Sequence, residues 1–189
     1  PDWQGKVIAD LNFELPAHAH NRQDAIRCTY EYADFIRQFT DSLTVPKEAY
    51  PDGITVLSPI ETWSDDFSMA IAGIPSTVND FSAGPFMQNY YHSQYDNQDV
   101  YQEAVYQFHH ECYLKLIMAI DRLVLPPMNF SNTMNAVAES IHENALSFAD
   151  PEQNVLLRNL QTIIASAENI YDKICQINTE YATLSDSEI

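Results

Sequence analysis

The chain has 189 residues, 46% apolar and 12% aromatic, which is long enough for a domain with a sizeable core and too apolar for a disordered chain. Its 27 acidic and 9 basic residues give a net charge of −18, which disfavours nucleic acid and anionic lipid as partners. No apolar run approaches the roughly 20 residues that a membrane-spanning helix needs, so no membrane span is predicted.

The first part of the chain alternates predicted strands and helices. Residues 6–11 have the composition of a short buried strand with Asp10 near its end, and apolar spacing over 23–43 predicts a first helix. A second strand is predicted at 54–57, then a short helix at 65–72 that Gly73 ends, then a third strand at 74–78. This alternation is typical of an α/β fold, here a partial mixed sheet with flanking helices.

Beyond residue 99 the pattern is helical, so a C-terminal helical region follows the sheet. One apolar face marks a long helix over 99–125, with Tyr101, Val105, Phe108, Cys112 and Leu116 predicted to pack against the sheet. A second helix is predicted over 134–149, and Asp150-Pro151 is typical of the start of a third.

The last predicted helix carries the most regular pattern in the chain. From Leu156 to Leu184, apolar residues alternate steps of four and three, which is a heptad seam. The seam fits an antiparallel hairpin with the preceding helix, and it fits an interface between two subunits equally well. The sequence leaves these two interpretations open.

Several catalytic and metal-binding patterns are excluded. His109-His110-Glu111 would begin a helical zinc motif, but the residue four positions beyond His110 is Leu114. There is no nucleophile elbow, phosphate-binding glycine loop or Cys-x-x-Cys pair, and the three cysteines are predicted to be buried thiols. His18 and His20 alternate and would lie on one side of the segment if it were extended, which suits a metal pair but suits ordinary loop positions as well.

The most informative stretch lies between residues 63 and 96. Ser-Asp-Asp-Phe at 64–67 is followed by Gly-Ile-Pro-Ser at 73–76, and then by Tyr-His-Ser-Gln-Tyr at 91–95 before the long helix. This order resembles the C-terminal half of the M28-type zinc metallopeptidases, the family of glutamate carboxypeptidase and the transferrin receptor. The resemblance extends to Ile8-Ala9-Asp10 and to Leu-Pro at 125–126, so it covers roughly residues 5–150.

The resemblance implies an exopeptidase that contains zinc and acts on peptides, and it assigns roles to four residues. Asp10 and His92 match zinc ligands, and carboxylate and neutral imidazole are suitable donors for that ion. Tyr91 matches a hydroxyl that stabilises charge on a tetrahedral intermediate, and Asp65 matches a substrate-binding position. By the same resemblance, residues 1–125 are the C-terminal part of a peptidase-like domain, and 126–189 are a helical region through which a homodimer forms.

The chain also departs from the family's pattern. Family members hold two zinc ions, and the His-x-Asp and Glu-Glu pairs that complete their ligand set precede the Asp10 strand, whereas residues 1–9 contain neither pair. Residues 77–80 carry no arginine of the kind that binds acidic substrates in the carboxypeptidase branch, so an aminopeptidase-like or a different side-chain preference is at least as well supported. The rival hypothesis is a non-catalytic, peptidase-like module for dimerisation or interaction, and a third is an acidic helical scaffold.

Overall fold

The computed structural model describes residues 5–19, 21–80, 84–144 and 151–185. Its contacts divide the chain into two compact units. One unit takes the described residues of Pro1–Thr29 together with Phe35–Arg122, and the other takes Tyr30–Asp34 together with those of Leu123–Ile189. In the described part of the chain, no helix combines the length and the apolar character needed to cross a membrane.

The first unit is built on a four-stranded mixed sheet. Its strands lie in the order β1-β4-β2-β3, where β1 is Asp10–Asn12, β2 is Asp24–Cys28, β3 is Ile54–Leu57 and β4 is Ser76–Asn79. β1 pairs in parallel with β4 and β2 in parallel with β3, whereas β2 and β4 are antiparallel. The mixed α/β sheet predicted from the sequence is therefore confirmed.

Four helices accompany this sheet along the chain: α1 (Ala33–Asp41), α2 (Phe67–Ala70), α3 (Phe86–Asn89) and α4 (Glu103–Asp121). α4 buries Val105, Phe108, Cys112 and Leu116 as expected, but Tyr101 precedes the helix and is 48% exposed. Val105 and Phe108 pack with Ala49 and Tyr50 in one apolar cluster, which fixes α4 within the unit.

Two predicted elements differ from the structure. The first part of the helix predicted over 23–43 is β2, because pairing with two neighbouring strands outweighs the local helical spacing of its apolar residues. The predicted buried strand at 6–11 is shorter and displaced, so that Asp10 begins β1 rather than ending it. β1 lies at the edge of the sheet, where one side lacks a neighbouring strand among the described residues, and its three residues are only half-buried.

The second unit contains α5 (Phe130–Asn144) and α6 (Pro151–Ser185), which pack against each other. The side-chain oxygen of Asn178 accepts hydrogen bonds from the backbone nitrogens of Val124 and Leu125, and its Nδ2 donates to the Leu125 carbonyl. These bonds hold the segment before α5 against α6. Residues 145–149 of the predicted second helix and its Asp150 cap lie outside the described residues.

The heptad seam on α6 divides into two halves. Leu160 and Ala167 are buried and Ile174 is half-buried, whereas Tyr181, the next residue at the same spacing, is 52% exposed. Four residues at seven-residue spacing, here called the outer stripe, remain between 43% and 55% exposed: Leu156, Ile163, Ile170 and Ile177. Packing within the second unit therefore accounts for at most one half of the seam.

Candidate functional site

A pocket of about 90 Å³ opens in the first unit where β1 and β4 end. In the parallel pairing of these strands Asn12 lies opposite Val78, so the residues that follow both strands leave the sheet at one edge. Glu14 and Asp80 are two of those residues, and both line the pocket. The sheet thus brings together carboxylates that are 66 positions apart in sequence.

The described lining of the pocket is strongly acidic. It contains the four carboxylates of Glu14, Glu61, Asp65 and Asp80, and a single basic side chain, that of Arg27 on β2. Because Asp80 is buried, its negative charge needs a close partner in this position.

Arg27 is that partner, and each of the three nitrogens of its guanidinium contacts an acceptor. Its Nε donates to Asp80 Oδ2 at 2.6 Å, one terminal nitrogen donates to the Pro59 carbonyl at 2.9 Å, and the other lies 3.2 Å from Glu61 Oε1. The guanidinium therefore neutralises part of the charge of two carboxylates and forms a fixed wall of the pocket.

A row of polar side chains follows one face of β1 into the pocket. Asn12 Nδ2 donates to Glu14 Oε1 at 2.7 Å and to Asp66 Oδ2 at 3.3 Å. Burial raises the pKa of both Asp10 and Glu14, and the negative charge of Asp66 raises both further. The end of β1 is therefore a region of negative potential that favours protons or other cations.

Two of the residues that the resemblance assigned, Asp65 and Tyr91, line this same pocket. His92 follows with φ of +53°, and its ring stacks on that of Tyr91 with centroids 3.8 Å apart and planes 18° apart. Tyr91 also meets the ring of Phe86 edge to face, with centroids 6.0 Å apart. The Tyr91 ring is thus held between two neighbours, while the His92 imidazole is exposed.

Asp10 lies at the opposite end of β1 from the pocket and is not among its described lining residues. Its backbone nitrogen donates to the Pro75 carbonyl at 2.8 Å, and its carboxylate interacts with Ser76 and Asp66. Among the described residues no three histidine, cysteine, aspartate or glutamate side chains form a group that could hold a metal ion. Asp10 and His92 by themselves therefore do not fit a catalytic zinc site.

His18 is buried among aromatic rings. Its imidazole meets the rings of Phe86 and Tyr90 edge to face, with centroids 4.8 and 5.1 Å away. Burial lowers the pKa of His18, which favours the neutral form of the ring. His20, the other member of the alternating pair, lies outside the described residues.

His109 forms a buried polar network that its sequence motif does not indicate. Its Nδ1 lies 3.1 Å from the Leu15 carbonyl and donates to it, and its Nε2 lies 3.1 Å from the Tyr50 hydroxyl and 3.4 Å from Asp24 Oδ1. Burial raises the pKa of Tyr50, and the Asp24 charge raises it further. The network connects α4 to β2 and to the segment after β1. His109 therefore has a structural role.

Sequence reasoning did not single out Glu14 and Arg27 as pocket residues. The available signal was the alternation of polar residues at 10, 12 and 14, which places three side chains on one face of a strand. For Arg27 there was no such signal, because its segment was assigned to a helix.

In comparisons with known proteins, the chain matches no protein-family model, no curated protein and no solved structure.

Proposed function

We propose that this chain is the C-terminal segment of a zinc-dependent M28-type exopeptidase, which hydrolyses peptide bonds in its complete form. The observation that supports the proposal best is the meeting of Asp65 and Tyr91 in one pocket. The motif resemblance assigned substrate binding to one and stabilisation of the intermediate to the other, although 26 positions separate them in sequence.

Within this proposal, the residues of the chain bind and orient the substrate. The Tyr91 ring is fixed by His92 and Phe86, so its hydroxyl can donate a hydrogen bond to developing negative charge without reorganising. Zinc, when held by the family's full ligand set, supplies an activated water. By resemblance, Asp10 and His92 are two members of that ligand set.

The test is peptide hydrolysis by the full natural polypeptide that carries these residues. We expect cleavage of unblocked peptides from one end, loss of cleavage with a zinc chelator, and a fall in kcat on the order of 100-fold for Tyr91→Phe with little change in KM. Tyr95→Phe is the matched control, because Tyr95 is 60% exposed and is not a described pocket residue. Equal kcat values for the two variants, or no cleavage in any peptide series, would contradict the proposal.

The second candidate is a non-catalytic, peptidase-like dimerisation module, and the outer stripe of α6 favours it. The four exposed side chains recur every seven residues over about 30 Å of helix, which suits pairing with the same stripe on a second copy of the chain. Packing within the second unit leaves these side chains exposed, so a homodimer would remove apolar surface from water. This candidate requires self-association but no hydrolysis.

A further inference from the structure

We infer that the pocket at the ends of β1 and β4 binds the positively charged side chain of a peptide, that of arginine or lysine. The inference extends the proposed function. It rests on that function only for the statement that the positive charge belongs to a peptide. The binding of a cationic group follows from the pocket itself. Three observations carry the inference: the unbalanced charge of the lining, two aromatic side chains, and a buried amide.

The negative side chains that line the pocket are not fully balanced by positive side chains of the same pocket. The three guanidinium nitrogens of Arg27 contact Asp80, Glu61 and the Pro59 carbonyl. In the described part of the chain, neither Glu14 nor Asp65 forms an ion pair. A guanidinium or ammonium group entering the pocket would gain attraction from both carboxylates, which a neutral or acidic side chain would not.

The aromatic side chains provide the second observation. Trp63 lines the pocket although it is 57% exposed, and Tyr91 lines it as well. An exposed indole beside carboxylates is a favourable contact for a cation, because the negative face of the ring attracts positive charge. The methylene groups of a lysine or arginine side chain would cover the same apolar ring surface.

The third observation is the amide of Asn79 at the end of β4. Asn79 lines the pocket and is only 4% exposed, and its Nδ2 has no hydrogen-bond partner among the described residues. Leaving a buried donor unpaired is costly, so this group favours a ligand that offers an acceptor. A peptide carbonyl next to a basic side chain is such an acceptor. The volume of about 90 Å³ suits one side chain rather than a whole peptide.

Calorimetric titration of the full chain tests the inference with small probes, in buffer that contains EDTA. We expect arginine amide to bind at least tenfold more tightly than citrulline amide, which has a nearly identical shape and the same α-amino group but an uncharged side chain. Agmatine, which keeps the guanidinium and lacks the carbonyl, should bind several-fold more weakly than arginine amide. Because the measurement needs neither zinc nor hydrolysis, its result is independent of whether the proposed peptidase activity exists.

Variants of the chain provide the matched comparison. Glu14→Gln should weaken arginine amide binding roughly two- to fivefold, and Trp63→Leu by a similar factor. Glu48 is an exposed carboxylate that is not among the described pocket residues, so Glu48→Gln should leave binding unchanged. Added salt should weaken binding of the wild type more than that of Glu14→Gln.

Two outcomes would overturn the inference. Equal binding of arginine amide and citrulline amide, or binding of neither probe, would show that the pocket does not select positive charge. Equal affinity for agmatine and arginine amide would overturn the assignment to peptides, because the acceptor next to the charge would then contribute nothing.

Discussion

The Nε2 atom of His109 lies 3.4 Å from Oδ1 of Asp24, and both side chains are fully buried. Because removing one partner leaves the other polar group buried without it, His109→Ala should lower the free energy of unfolding by about 3–5 kcal/mol. Urea denaturation measures this loss. His110→Ala is the control, since His110 is the exposed neighbour on the same helix and should change stability by less than about 0.5 kcal/mol.

A double-mutant cycle tests whether His109 and Asp24 interact with each other. If the two groups interact, Asp24→Asn combined with His109→Ala should cost less than the sum of the two single losses, by about 1 kcal/mol or more. Additive losses would show that His109 stabilises the fold through its other contacts, such as those with Leu15 and Tyr50, and not through Asp24.

Phe108 on α4 packs in the cluster formed by Ala49, Tyr50 and Val105. Phe108→Ala should lower the free energy of unfolding by about 3–5 kcal/mol, because the removed ring leaves a cavity in that cluster. Leu114→Ala on the same helix serves as the control, since Leu114 is 59% exposed. A loss under about 1 kcal/mol for Phe108→Ala in urea melts would contradict the assignment of this helix face to the core.

The Asp10 carboxyl should make stability depend on pH. Burial and the nearby Asp66 charge raise the pKa of Asp10 above its usual 3.8, so the folded chain binds this proton more tightly than the unfolded chain does. The resulting stabilisation is fully present below about pH 3.8 and is lost as pH rises through the raised pKa. Asp10→Asn cannot ionise, so it should flatten this decline and raise the free energy of unfolding at neutral pH.

Urea melts of wild type and Asp10→Asn across the acid to neutral range measure that pH dependence. Glu48→Gln controls for the general effect of removing one negative charge from an acidic protein. If Asp10→Asn proves less stable than wild type at neutral pH, the Asp10 carboxylate contributes favourable contacts that outweigh its burial.

The outer stripe of α6 predicts self-association. Ile170 is 55% exposed at its centre, so Ile170→Glu should leave the fold of the second unit intact but place unpaired charges in an interface between two copies. We expect sedimentation velocity to show dimers for wild type and monomers for the variant. Gln161→Glu adds the same charge at an exposed position outside the stripe and should still dimerise. A wild-type chain that is monomeric at every concentration would rule out the dimer.

Zinc should bind weakly to the isolated chain. Asp10 and His92 offer two donors, whereas catalytic zinc is held by three protein ligands and a water. After extensive dialysis, wild type and His92→Ala should both retain far less than one equivalent by atomic absorption, as should a His110→Ala control. One full equivalent that is lost in His92→Ala would mean that further ligands, such as His18 or His20, complete a site.

Local sequence patterns predicted much of the fold and little of the pocket. The strand at Ile54–Leu57 and the helix that begins at Pro151 follow from apolar runs and from a proline that favours a first helical turn. The Arg27–Asp80 pair could not be predicted, because it depends on β2 lying antiparallel beside β4, a pairing between segments about 50 positions apart. The roles of Asp10, His92, Tyr91 and Asp65 in a peptidase stay predictions.

The sequence by itself determined the α/β class, the acidic character, the long α4 and the heptad period of α6, because each depends on composition or on spacing along one element. Only the tertiary structure decided that residues 24–28 form a strand and that the outer stripe is the exposed half of the seam. It also decided that Glu14, Asp65 and Tyr91 meet in one pocket. These properties depend on which distant segments pair, and pairing is fixed by burial and hydrogen bonding summed over the whole unit, which no single window of sequence contains.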